Sequence, residues 1–123
     1  MKMGEFEKLV QEGIGEIPEK FLANLENVEI VVQEDPTPFQ KQKIGYRKNS
    51  LILGLYEGIP QIKRANYAQV LPDKITIFKN SIEKVAFSPG KIKEVVRKTV
   101  WHEIAHHFGM TEAEVRKREK EKG

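Results

Sequence analysis

An α+β fold is what the sequence predicts: a small mixed β-sheet packed on one central helix, with helices before it at the N-terminal end and a short C-terminal helix after it. Three observations lead there. Short β-branched or apolar runs recur at 28–33, 51–56 and 73–79, helical spacing brackets them on both sides, and 123 residues make a single domain, 1–123. A chain of that size buries roughly two thirds of its unfolded surface without staples.

Phe6, Leu9, Val10 and Ile14 recur at helical spacing, while Gly13, Gly15 and Pro18 interrupt it, so a short amphipathic helix is expected over about Gly4 to Glu12. Pro18 is placed to start a second helix through Phe21, Leu22 and Leu25. Val28–Gln33 reads as a strand, and Glu34-Asp35-Pro36-Thr37-Pro38 as an extended loop leading into a polar, irregular stretch from Gln40 to Ser50. Leu51–Tyr56 is a second strand, in which Gly54 signals a bulge or a close backbone approach. Asp73–Lys79 is a third strand, and a single helical turn is expected over Ser81 to Phe87.

Ser88-Pro89 has the form of an N-cap followed by proline at the first helical position. Ile92, Val95, Val96 and Thr99 then form one stripe and Val100, Ile104 and Phe108 a second, so this helix is expected to be apolar over most of its circumference and central. Gly109 ends it, and Thr111 with Glu114 forms a capping box that starts the charged last helix, with Met110 and Val115 as the staple across it.

The composition narrows the function. Apolar residues make up 39% and charged residues 32%, as in a soluble globule. The net charge of +3 comes from 21 basic and 18 acidic side chains whose signs are interspersed, so Lys41-Gln42-Lys43 and Arg116-Lys117-Arg118 read as solvated surface and argue against a nucleic-acid partner. Disulfides and thiolate ligation are excluded because there is no cysteine, which fits a reducing, cytoplasmic setting. No signal-peptide pattern opens the chain, and no apolar run approaches the ~20 residues of a membrane span.

All three histidines fall in the run from His102 to His107. His102 and His106 lie one turn apart on one helix face, the face that continues Val95, Val96 and Thr99, and Glu103 sits one residue round. Burying two imidazoles and a carboxylate together is costly unless a cation compensates them, so His-Glu-x-x-His points to a metal site. A catalytic zinc needs three protein ligands and one open position for water. With cysteine absent and His107 turned off the face, the third ligand is a carboxylate or a tyrosine oxygen; Glu119 and Glu121 stand too far along the tail. A tight turn at a glycine three residues after the second histidine brings the residue three beyond it back to the metal, and here that residue is Glu112. Glu112 also suits the start of the next helix, where an acid complements the dipole. Glu103 is then the general base, and Zn2+, one per chain, the cofactor. The reaction class is metal-assisted hydrolysis, most simply of a peptide bond. Tyr56 and Tyr67 are conceivable oxyanion partners, and Leu51–Tyr56 or Asp73–Lys79 could supply an edge for an extended substrate.

The run WHEIAHHFGMTE, preceded by LILGLYEGIP and LPDKITIFK, resembles the small bacterial zincin-like metallopeptidases, the mini-zincins, over nearly the whole chain. The resemblance implies a compact zincin-like α+β domain, zinc, and a peptide or protein substrate of no established identity. The third ligand position is usually Asp in that family, whereas Glu112 stands there in this sequence. Two rival readings are a metal-dependent endoribonuclease, which shares the histidine spacing but has no acid at the position of Glu103, and a catalytically weak binding module of the same fold. A monomer or a homodimer is compatible with all of them.

Overall fold

The computed structural model describes residues 1–19, 28–43, 51–58 and 72–107. Within them lie helix α1 (Met3–Gly15), strand β1 (Val28–Gln33), helix α2 (Pro38–Lys43), strands β2 (Gly54–Glu57) and β3 (Asp73–Phe78), and helices α3 (Lys79–Val85) and α4 (Pro89–His107). The expected second helix after Pro18 and everything from Phe108 onward, including the C-terminal helix, fall outside the described residues.

The sheet is mixed, in the order β1-β3-β2. β1 runs parallel to β3 from Val28 opposite Asp73 to Gln33 opposite Phe78, and β2 runs antiparallel from Gly54 opposite Ile77 to Glu57 opposite Lys74. The two-residue period of a strand puts Ile30, Val32, Tyr56, Ile75 and Ile77 on one face. That face joins Phe6 and Val10 of α1 and Ile92, Val96, Val100, Trp101 and Ile104 of α4 in a single core. β3 holds the centre and is the most buried strand, with every residue from Ile75 to Phe78 buried.

Several boundaries depart from the sequence reading. α1 continues through Gly13 to Gly15, because Gly13 is a contact point: a Cβ there would stand 2.8 Å from the Lys93 carbonyl of α4. Pro38 opens a helix where an extended loop was expected. Thr37 caps it, its Oγ1 accepting the Gln40 N–H at 3.1 Å while Gln40 Oε1 accepts the Thr37 N–H at 3.0 Å. Thr37-Pro38-Phe39-Gln40 is a capping box with proline at N1, and this local signal outweighs the loop tendency of two nearby prolines. β2 starts three residues later than expected, and α3 already begins at Lys79, with two full turns rather than one.

α4 begins as expected, with the Lys91 N–H donating to Ser88 Oγ at 3.2 Å. Its apolar surface is one broad face, since Lys91 and Lys98 are exposed. No helix among the described residues is long and apolar enough to cross a membrane.

Gly54 proves to be a close backbone approach. A Cβ at this position would stand 2.7 Å from Thr99 Cγ2, 3.2 Å from the Thr76 carbonyl and 3.4 Å from Ile77 Cδ1. Thr99 is itself held, its hydroxyl donating to the Val95 carbonyl at 2.7 Å, so it has no cheap way to yield. Gly54→Ala is therefore expected to destabilise the fold by about 1–3 kcal/mol through overpacking, read as a lowered denaturation midpoint; an unchanged midpoint would contradict this packing.

Candidate functional site

Helical spacing places Val95, Thr99, His102 and Glu103 successively along one side of α4, offset from the core stripe of Ile92, Val96, Val100 and Ile104. β2 and the residues before it lie over that side. Between them opens a cleft of about 620 Å³, walled by Leu51–Gly54 on the strand side, by Val95, Lys98 and Thr99 on the helix, and by Val85 of α3, with His102 and Glu103 at one end. His102 and Glu103 are half-buried. The imidazole of His102 thus stands on the cleft wall, at the rim of the core instead of inside it.

Glu103 is tied to the sheet across 47 residues of sequence: its Oε1 accepts the backbone N–H of Tyr56 at 2.9 Å. That donor is available because of strand register. The Phe78 N–H donates to the Leu53 carbonyl at 3.0 Å, making those two a hydrogen-bonded pair, and antiparallel alternation then directs the N–H and C=O of Gly54 and Tyr56 away from β3. The Tyr56 hydroxyl donates to Asp73 Oδ2 at 2.8 Å. Its one proton is therefore committed to Asp73, which leaves little for an oxyanion.

At the cleft's outer lip, Lys98 pairs with Glu94 at 3.1 Å. Lys98 and then Lys91, by hydrogen bonds and by charge, hold the exposed Glu94 carboxyl below its ordinary range. This pair is a solvated surface feature and lies apart from Glu103.

Of the residues expected at a metal site, the structure places His102 and Glu103 together on the cleft wall. His106 follows one turn on in the same continuous helix, with its side chain outside the described residues, as are the side chain of His107 and all of Glu112 and Tyr67. Among the described residues no three His, Asp or Glu side chains converge. His102 and His106 stand at four-residue spacing on one unbroken helix, and imidazole is a donor type that zinc accepts. The sequence reading missed the Tyr56 amide and Asp73. A backbone donor carries no residue signature, although the acid opening the strand at Leu71-Pro72-Asp73 was visible.

A family model described as zincin-like metallopeptidase matches residues 25–122. Among solved structures, a conserved hypothetical protein from Thermus thermophilus shares the fold with a TM-score of 0.53 and 24% identity, over 87% of this chain and 94% of that one. No curated protein matches the sequence.

Metal analysis of protein purified without chelator is expected to find about one zinc per chain, and to find it lost in His102→Ala and in Glu112→Ala. Full metal stoichiometry in either variant would remove that residue from the ligand set.

Proposed function

Because the chain belongs to the zincin-like metallopeptidase family, we propose that it is a zinc-dependent peptidase in which His102, His106 and Glu112 hold the ion and Glu103 is the general base. Zinc at this place would supply a Lewis acid for the scissile carbonyl and lower the pKa of water to about 7. Glu103 takes the proton from the attacking water and returns it to the departing amine nitrogen. The observation that carries this reading is the Tyr56 N–H bonded to Glu103 Oε1, which fixes the carboxylate beside His102 at the end of an open cleft.

The substrate is an extended peptide or protein segment. β2 is an edge strand among the described residues, with its Gly54 amide and carbonyl directed outward, and an added strand gains affinity from such main-chain groups. Leu51, Leu53, Val85 and Val95 make the adjoining cleft wall largely apolar, so a bulky apolar side chain next to the cleaved bond gains most from burial. The protein acts as a monomer or homodimer in the cytoplasm.

Replacing Glu103 by Gln keeps the size of the side chain and removes the base. The variant is expected to retain its zinc and to lose about 10²–10⁴-fold in peptide cleavage, measured on a peptide library beside an RNA substrate. Intact peptide cleavage would eliminate Glu103 as the base, and RNA cleavage without peptide cleavage would favour the ribonuclease reading.

A further inference from the structure

Tyr56 joins the site twice. Its main chain meets Glu103, and its side chain spans to the first residue of the neighbouring strand, where the hydroxyl bonds Asp73 Oδ2. We propose that Tyr56 and Asp73 form a positioning pair that holds the general base: Asp73 clamps the phenol, the phenol fixes the end of β2, and β2 presents its amide to the Glu103 carboxylate. This rests on the peptidase reading for its catalytic consequence, though the clamp itself does not.

The geometry gives the pair a reason to exist. β2 is four residues long and, among the described residues, paired on one side only, so its end frays easily unless side chains restrain it. Tyr56 lies opposite Ile75 in a non-hydrogen-bonded pair, so the ladder to β3 does not use its amide. The amide is therefore placed by the flanking pairs Leu55–Thr76 and Glu57–Lys74 together with whatever fixes the Tyr56 side chain. The Tyr56–Asp73 bond does so from the well-packed central strand, and a hydrogen bond between a phenol and a carboxylate is among the stronger kinds. Tyr56 is also half-buried and packs against the core, which sets its ring direction. One strand end, anchored at the ring and at the ring's tip, carries the donor that orients the base.

Neither residue touches the reacting atoms in this arrangement, so the signature is a fall in turnover at constant substrate and metal affinity. Tyr56→Phe and Asp73→Ala are each expected to lower kcat roughly tenfold, with KM changed by less than about twofold and zinc content unchanged, since no ligand or cleft wall is altered. Asp73→Asn, which still offers the phenol an acceptor, is expected to recover most of that loss. Tyr56→Phe combined with Asp73→Ala is expected to be no worse than either alone, because both break the same bond.

An independent readout needs no turnover. Hydrogen exchange at the Tyr56 amide, followed by NMR, is expected to accelerate in Glu103→Ala, where the acceptor is gone, and to a lesser extent in Tyr56→Phe and Asp73→Ala, while exchange at Ile75 stays slow. Unchanged Tyr56 exchange in Tyr56→Phe and Asp73→Ala overturns the clamp, as does wild-type kcat in both. If the wild type cleaves no peptide but the exchange pattern appears, the clamp stands and the peptidase reading falls.

Discussion

Gly54 lets β2 come down onto α4 until the strand's backbone is in contact with Thr99, and this approach governs everything built around it. Any larger residue would hold the strand off by a Cβ. With the strand close, an amide of Tyr56 reaches Glu103, and the residues before Gly54 become one wall of the cleft. The cleft has a floor because Thr99 and Val95 lie beneath the strand, and it stays open because both are small or short. The glycine thus links the packing of the sheet to the orientation of one carboxylate.

α4 serves two purposes with one helical repeat. Ile92, Val96, Val100 and Ile104 follow a stripe into the core, and Trp101 and Ala105 widen it. Val95, Thr99 and His102 follow a neighbouring stripe about a hundred degrees away, which leaves them at the boundary between core and solvent. A half-buried position suits the proposed chemistry. It is dry enough for charges to interact more strongly than in water and open enough to admit a substrate. The core stripe keeps the helix rigid, so the functional stripe inherits a fixed geometry. α1 adds to that rigidity through the contact at Gly13, where two backbones meet with no side chain between them.

Strand order assigns roles that strand composition does not. Asp73–Phe78 is as β-rich as Leu51–Glu57, yet it is central, bonded by β1 on one side and β2 on the other, and has no edge to offer. Among the described residues β2 is left at one border and β1 at the other. A polar network behind β2, running from Gln33 through the buried Gln40 of α2 to Glu57, which also lies 3.8 Å from Lys74, ties the end of β2 back to the sheet. This support comes from α2, whose capping box is flanked by the loop-like run Glu34-Asp35-Pro36.

Periodicity and local capping chemistry were enough to determine the α+β class, three strands in nearly their observed places, the Ser88 start of α4 and the pairing of His102 with Glu103 on one helix, because each depends on residues within a turn or two of one another. They marked Gly54 as a bulge or a close backbone approach without its partner, and named His106 and Glu112 as candidate ligands, whose side chains lie outside the described residues. Tertiary structure alone decided which strand became central, that α1 would run through Gly13, and that the Tyr56 amide would hold Glu103 while Asp73 held Tyr56. Those outcomes arise from groups 17 to 80 residues apart meeting in space, and a main-chain donor looks the same in sequence wherever it points.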